Sequence, residues 1–525
     1  MPVDGTALPA ADPRAKTLAT FDRRYANRVM LVLMGIVSVV LYIEGMLTPS
    51  LPTIQAQFGI TSAQASLIIS VYAVSGVALS PVVGKLGDIH GKRKVLVAVM
   101  LCYAAAVSVT GFSPTFSFMV AARTVQGVGL TIMPLGMSLV REEFPRELVP
   151  RAQGLLSAMF GVGFAVSLPL GSWVSQDYGW RATYHTSIPF VVLLTILVVL
   201  LVRESEYRRP TVKVDYLGAS LLGGGLAGIV IALSQGETWG WTSALTLGFA
   251  VAGGLLFVPF ALYEARWKRQ GREPIVDGKL LRERNVAVTN IVLTVAGLGM
   301  YLALFTLIYQ FEYGPASGGY NTAFPSLNIL AAGLQIIPLA LSMTAIALLA
   351  SLWVHRTGVK PLAIAGSGIT AVGFFLVSIA RSLDAALLSE VVIGAGIALL
   401  NASIINLLIL TVDPKDMGQA TAMNNVFRNV GGSIGAPIAG SLLATYLTTV
   451  GSGPLAGLRV PSHTGFEYAF WIASAVTIVG GLAVVFGQEV IGPRRHARFA
   501  HQPQLLRGAR SRGPSAAPAP VPSAD

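Results

Sequence analysis

The sequence has little charge and almost no cysteine, and both shortages limit what the protein can be. Only 12% of its 525 residues are charged, about half the share of a typical soluble domain, while 53% are hydrophobic. The single cysteine, Cys102, excludes an intramolecular disulfide and a cysteine metal cluster within one chain. The composition therefore favours a membrane protein over a soluble enzyme.

Several signatures of catalysis and processing are also missing. The sequence has no G-x-x-x-x-G-K-[ST] pattern, so ATP is not expected to power it. None of its six histidines stands at metal-ligand spacing from another ligand. Residues 1–27 mix acids and bases without a short apolar core, so they do not resemble a signal peptide. We expect no enzyme activity, metal, cofactor or ATP, and energy from an ion gradient, with protons as the first choice.

Long apolar stretches recur along the whole chain at the length of membrane-spanning helices. A helix of about 20 residues crosses roughly 30 Å of hydrocarbon. Fourteen stretches meet this description: 29–50, 62–83, 95–113, 116–139, 152–174, 184–202, 216–234, 244–263, 286–309, 327–353, 361–380, 384–410, 418–446 and 467–488. The sequence therefore predicts an all-α membrane protein with 14 spans.

The basic residues alternate between loops in the way that membrane topology requires. Of 37 Lys and Arg residues, 32 fall in the tails and in every second loop, whereas only Arg181, Arg381 and Arg459 fall in the opposite loops. Because cytoplasmic loops carry excess Lys and Arg, both termini are predicted to be cytoplasmic. The protein itself is predicted to lie in the plasma membrane. The net charge of +12 is spread over these loops, so a nucleic-acid partner is not expected.

These spans divide the chain into five predicted regions. A cytoplasmic tail (1–28) precedes an N-terminal six-helix bundle (29–202). A linker with two additional spans and a basic cytoplasmic segment (203–285) leads to a C-terminal six-helix bundle (286–488). The last region (489–525) is rich in Arg, Pro, Ala and Ser, and is predicted to be a disordered tail.

A short basic loop, Gly84 to Lys94, joins the second and third spans. Its residues Gly84, Leu86, Asp88, Gly91, Lys92 and Arg93 fit the spacing G-x-L-x-D-x-x-G-x-[KR]-[KR]. This spacing resembles the loop-2/3 signature of the major facilitator superfamily. The resemblance implies a cytoplasmic gate in which Asp88, supported by Arg93, contacts the opposite bundle when the protein is open outward. An ordinary inter-helix turn is the alternative.

Further stretches extend this resemblance. Arg123 to Gly129 fits R-x-x-Q-G-x-G, in which the family's arginine is linked to proton coupling, and Gly163, Pro169 and Gly171 resemble an antiporter motif. Residues 215–218, 236–241 and 418–432 resemble the fourteen-span drug:proton antiporters. That family carries an aspartate at the position of Ile43; here the neighbouring Glu44 supplies the acid, turned by about 100° around the helix.

The resemblance implies two pseudo-symmetric six-helix bundles around a central cavity, with the two additional spans at the periphery, in a monomer. It also implies proton-coupled export of amphipathic or cationic drugs, and hence multidrug efflux and antibiotic resistance. Uptake by proton symport is one alternative. A lipid translocase or a non-transporting sensor is another.

Charges inside the spans single out residues independently of the resemblance. A buried charge costs at least about 2.5–3.5 kcal/mol, so it must face protein or water. Glu44 and Arg123 lie at similar predicted depths, so we expect an ion pair that a proton on Glu44 breaks. A permanent structural bridge between the two helices is the alternative.

The remaining substrate-cavity candidates lie in both predicted bundles. They are Glu390, Arg428, Asn401, Asn425, Tyr72 and Gln126. Glu390 is expected either to attract a cationic substrate or to pair with Arg428, which would leave a neutral cavity. Interhelical hydrogen bonding is an equally good interpretation of Asn401.

Overall fold

The computed structural model is almost entirely helical. It describes residues 22–145, 148–204, 208–322, 324, 328–412, 416–449 and 459–489. Residues 1–21 of the predicted N-terminal tail (1–28) and all but the first residue of the predicted C-terminal tail lie outside these residues. The predicted membrane-spanning region is therefore the part that the structure describes.

Helices α1 to α8 occupy the first half of the chain. They are α1 Arg23–Gly45, α2 Leu51–Phe58, α3 Ser62–His90, α4 Lys92–Gly111, α5 Phe116–Gln126, α6 Ile132–Glu143, α7 Val149–Tyr178 and α8 Trp180–Leu201. Short 3-10 turns at Thr48–Ser50 and Gly127–Thr131 connect α1 to α2 and α5 to α6. The α-helix of the fourth predicted span, 116–139, is therefore interrupted near its middle by the 3-10 turn at Gly127–Thr131.

The linker region and the second half contain helices α9 to α18 and one small ribbon. The helices are α9 Tyr216–Trp239, α10 Ala244–Arg269, α11 Gly278–Arg282, α12 Arg284–Glu312, α13 Ile329–Gln335, α14 Ile337–Thr357, α15 Val359–Ile379, α16 Leu383–Thr411, α17 Met417–Thr445 and α18 His463–Val485. Strands β1 Leu447–Thr449 and β2 Arg459–Pro461 pair antiparallel, with Leu447 opposite Pro461. This ribbon is a small departure from the predicted all-α structure.

Each predicted span coincides with a long helix or with a helix pair. Within the described residues, 12 segments are long and apolar enough to cross a membrane. The predicted spans 152–174 and 418–446 coincide with α7 and α17, which have 30 and 29 residues but are not among those 12. The membrane class is confirmed, and the count of fourteen stays a prediction.

The same capping arrangement occurs in both halves. Gly91 and Gly358 adopt positive φ values of 103° and 95°, immediately before α4 and α15. The carboxylate of Glu204 accepts hydrogen bonds from the Arg93 and Lys94 amides, and that of Glu489 accepts them from the Val359 and Lys360 amides. A carboxylate here satisfies unpaired amides and complements the helix dipole. The N-termini of α4 and α15 are therefore capped in the same way, one in each half.

We call the face with residues 84–94, 203–204, 208–215 and 264–285 the linker face, and the face with residues 45–61 and 313–322 the far face. Among the described residues, hydrogen bonds that join the halves near the far face run from Tyr309 to Gln55 (2.8 Å), from Ser62 to the Gly440 carbonyl (3.0 Å) and from the Leu330 amide to Gln176 (3.1 Å). The structure is thus closed on the far face.

The two additional helices are not simply peripheral, contrary to expectation. Helix α9 packs against α10 and also against α3 and α17, which belong to different halves. The Ser441 hydroxyl of α17 donates to the Leu233 carbonyl of α9. Small residues allow close contact, since Gly225 and Gly228 of α9 lie against Gly253 of α10. Helix α9 therefore covers the seam between the halves, and α10 lies outside it.

Candidate functional site

Glu44 lies in the last turn of α1 and connects the two halves. Its side chain is 9% exposed, and its Oε1 accepts a hydrogen bond of 2.8 Å from the Tyr301 hydroxyl of α12. A hydrogen bond to an ionised carboxylate is stronger than a neutral one. The protonation state of Glu44 therefore acts directly on a contact between the halves.

Arg123 does not form the expected ion pair with Glu44. Its Nε donates to the Ile68 carbonyl at 2.9 Å, and its guanidinium carbon lies 4.7 Å from the centre of the Tyr72 ring. The predicted depths of Glu44 and Arg123 in the membrane are similar, but depth does not determine which way two helix faces point. Backbone bonding and cation–π contact stabilise this buried cation instead.

Arg428 belongs to the Glu44 site. Its Nη2 donates to the Asn425 side chain at 3.2 Å, and it acts electrostatically on Glu44, as Arg123 also does. The alternative pairing of Arg428 with Glu390 is not found among the described residues. Two guanidinium groups therefore act electrostatically on one carboxylate. We call Glu44, Tyr301, Arg123 and Arg428 the central cluster.

Of the other two N-terminal candidates, Tyr72 adjoins the central cluster and Gln126 points into its own half. Tyr72 is 1% exposed and supports Arg123 through its ring. Gln126 is fully buried and accepts a hydrogen bond from Thr110 of α4 at 3.3 Å. Gly127 follows it where α5 meets α3, and a Cβ there would lie 2.5 Å from the Tyr72 carbonyl oxygen. The glycine in this motif thus permits helix contact.

Glu390 and Asn401 lie on α16, inside the C-terminal half. Glu390 is fully buried beside the Leu339 backbone of α14. Asn401 lines a void of about 10 Å³ together with Met300 and Phe374. Both positions face other helices of their own half, so the structure does not bring them together with the central cluster.

The side chains of Asp88, Lys92 and Arg93, in the loop Gly84–Lys94, form contacts within the N-terminal half. Asp88 pairs with Lys92 at 3.2 Å, and Lys92 also pairs with Glu142. The Arg93 guanidinium donates to the Val199 carbonyl. In this far-face-closed structure the Asp88 carboxylate pairs within its own loop, and its backbone carbonyl accepts from the Arg209 amide of the linker. The contact with the opposite bundle is the one implied for the other state. A Cβ at position 84 would meet no other atom within 4 Å, so packing does not require a glycine there.

The antiporter-like residues bring α7 against the segment that holds Glu44. A Cβ on Gly163 would lie 2.7 Å from Leu41, and one on Gly171 would lie 2.5 Å from Met46. Pro169 lies inside α7 between these two contacts. These glycines therefore fix the distance between α7 and α1 on both sides of Glu44.

Sequence reasoning missed several buried acids and the partner of Glu44. Tyr301 was only one of many aromatic residues within spans. Glu312 is fully buried at the end of α12, in a stretch assigned to a loop, and Asp215 and Glu264 are buried at the linker face. An acid at the end of an apolar span is the signal that identifies such residues. Within the described residues, no group of three His, Cys, Asp or Glu side chains is arranged to hold a metal.

Comparison with known proteins identifies the family. The Major Facilitator Superfamily sequence model matches residues 33–215, 214–436 and 327–517. The chain is 28% identical to the cephamycin export protein CmcT of Amycolatopsis lactamdurans over 455 residues, covering 83% of this chain and 88% of that protein. It is 24% identical to the multidrug transporter protein MdtP of Bacillus subtilis over 384 residues, covering 72% and 68%.

Solved structures share the fold at low sequence identity. The human organic anion transporter MFSD10 aligns with a TM-score of 0.59 at 17% identity, covering 87% of this chain and 99% of that one. The Escherichia coli xylose transporter XylE aligns with a TM-score of 0.58 at 14% identity, covering 89% and 99%. The helical architecture and the family match agree, and the chain belongs to the Major Facilitator Superfamily.

Proposed function

We propose that this protein is a secondary active exporter that exchanges protons for amphipathic small molecules by alternating access, with Glu44 as the proton carrier. The observation that carries the proposal is the 2.8 Å hydrogen bond from Tyr301 to Glu44 across the two halves. Relatives named as a cephamycin exporter and a multidrug transporter support export. The proton gradient supplies the energy, and no cofactor takes part.

The coupling follows from the charge on Glu44. As a carboxylate, Glu44 holds the Tyr301 hydroxyl through a charge-assisted bond and partly balances Arg123 and Arg428. Protonation removes that charge and weakens the bond between the halves. The halves then separate more easily on the far face, where the proton enters and the substrate leaves.

Orientation follows from the distribution of basic residues. The linker face carries most of the Lys and Arg residues, so we place this face and both termini on the cytoplasmic side of the membrane. We propose that the protein is a monomer in the plasma membrane. The far face is then external, and the far-face-closed structure is a state that does not release substrate outward.

The central cluster also bears on the substrate class. Two guanidinium groups face one carboxylate, so a compound with an acidic or neutral polar group is favoured there over a cation. The cationic class predicted from the sequence depends on Glu390, which lies elsewhere in the C-terminal half. We therefore propose amphipathic substrates with a neutral or acidic group.

Transport in proteoliposomes with an imposed pH gradient tests the proposal, with a panel of labelled amphipathic compounds. Glu44→Gln should abolish uphill transport, while exchange of labelled for unlabelled substrate survives because it needs no net proton movement. Glu390→Gln is the matched control and should retain uphill transport. Normal uphill transport by Glu44→Gln would exclude Glu44 as the carrier, and accumulation in the direction of proton flow would identify a symporter.

A further inference from the structure

A four-residue segment, Glu273 to Val276, connects both halves at the linker face. The Lys85 ammonium of α3 donates to the Glu273 carbonyl, and the Gln419 side chain of α17 donates to the Pro274 carbonyl at 3.2 Å. The Glu273 carboxylate also pairs with Arg209 of the linker at 2.7 Å. We call residues 273–276 the strap. It is attached to both sides of the α3–α17 seam.

Glu264 of α10 holds the strap through hydrogen bonds to its backbone. Its Oε2 accepts hydrogen bonds from the Ile275 amide at 2.7 Å and from the Val276 amide at 3.3 Å. Glu264 is 4% exposed, so these bonds form away from water. Two amides on one carboxylate oxygen hold the strap in a fixed position.

The other oxygen of Glu264 faces a second buried carboxyl group. Asp215 is 2% exposed, and its Oδ1 caps α9 by accepting from the Gly218 amide at 2.7 Å. Neither Glu264 Oε1 nor Asp215 Oδ2 has a hydrogen-bond partner among the described residues. Both oxygens lie in the space where a Cβ of Gly218 would stand, at 2.6 and 2.4 Å from it. The two buried carboxyl groups therefore adjoin each other, and one proton would let either of them donate to the other.

The charges around the pair require a single proton. Lys85 acts electrostatically on both acids from α3. Tyr263 of α10 faces Asp215, Arg272 faces Tyr263, and Arg209 and Glu273 face Lys85 from the linker and the strap. One proton on the pair leaves one negative charge, which balances Lys85. Without that proton, two buried negative charges repel each other.

We propose that Asp215 and Glu264 share one proton, and that this protonated pair is a pH-sensitive clasp that fastens the strap across the two halves. When the proton leaves, repulsion separates the carboxylates and draws Glu264 away from the Ile275 and Val276 amides. The clasp is closed at low pH and opens as the pH rises. Opening frees α3 and α17 to separate at the linker face, a control distinct from proton coupling at Glu44.

Hydrogen exchange of the full-length protein in detergent tests the clasp. A peptide covering residues 272–277 is followed by mass spectrometry from pH 6 to pH 9, corrected for the rise of intrinsic exchange with pH. In the wild type we expect corrected exchange at Ile275 and Val276 to rise about tenfold across the range.

Two variants reproduce the protonated pair. In Glu264→Gln the side-chain oxygen still accepts from both amides, and its NH₂ group donates to Asp215; Asp215→Asn keeps the helix cap and donates to Glu264. Both should keep the strap protected at every pH, whereas Glu264→Ala should expose it at every pH. A flat wild-type profile, or a pH response that persists in both amide variants, would overturn the proposal. Glu44→Gln should leave the response unchanged, which separates the clasp from the proposed coupling.

Discussion

Glu44 and Tyr301 form a bond that a double-mutant cycle can isolate. We expect Glu44→Gln and Tyr301→Phe to show an interaction free energy of about 1–3 kcal/mol in unfolding of the detergent-solubilised protein, the range for hydrogen bonds to charged groups. Tyr309→Phe is the matched control, because its hydroxyl bonds to Gln55 on another helix. Combined with Glu44→Gln, it should be additive. Equal coupling in both cycles would contradict a specific bond.

Arg123 is held by contacts that depend on the geometry of its guanidinium group as well as on its charge. It donates a hydrogen bond to the Ile68 carbonyl and lies over the Tyr72 ring. Lysine keeps the charge but cannot donate and stack in the same way. We expect Arg123→Lys to lower the free energy of unfolding by about 1–3 kcal/mol, measured by thermal unfolding in detergent. Tyr72→Leu should remove part of the same stabilisation, so the double variant should be less than additive. Unchanged stability in Arg123→Lys would show that only its charge matters.

The high cost of buried charge was enough to single out Glu44, Arg123 and Arg428 from the sequence. Their partners were not predictable, because rotation of a helix by one residue redirects a side chain by about 100°. The structure replaces the expected Glu44–Arg123 pair with Glu44–Tyr301 and moves Arg428 into the same cluster. Pairing depends on packing between the halves, which a single sequence does not contain.

At the scale of helices, the equivalent caps Glu204 and Glu489 make a specific prediction. Glu204→Ala and Glu489→Ala should each cost about 1 kcal/mol, because each leaves two helix amides unpaired. Amide hydrogen exchange should rise in the first turn of α4 for the first variant and of α15 for the second. The two effects should add, since the caps are in different halves. Increased exchange in both helices from one variant would contradict independent capping.

Helix positions were largely predictable from the sequence, but helix interruptions were not. Every predicted span coincides with a helix or a helix pair, because apolar length is a strong signal. The break at residues 127–131 has no such signal, since it arises where Gly127 meets the α3 backbone. The position of α9 over the seam was also missed, because it depends on contacts with α3 and α17.

At the scale of the whole molecule, the charge of the central cluster predicts selectivity. We expect tetraphenylborate, a lipophilic anion, to bind at least about tenfold more tightly than tetraphenylphosphonium, a cation of similar shape, a difference of about 1.4 kcal/mol. Quenching of intrinsic fluorescence in detergent measures both. Arg428→Gln should reduce the preference, and Lys360→Gln, at the linker face, should not. Tighter binding of the cation would instead favour a site at Glu390.

The account makes Glu44 the switch that controls contact between the halves. Its most direct test is the distance between spin labels at Ala56 and Thr464, exposed far-face residues of the two halves, in a variant with Cys102 replaced by serine. Pulsed electron spin resonance should show a longer-distance population that grows as the pH falls. In Glu44→Gln that population should be the same at every pH. A pH-dependent shift that survives in Glu44→Gln, or no shift in the parent protein, would contradict the account.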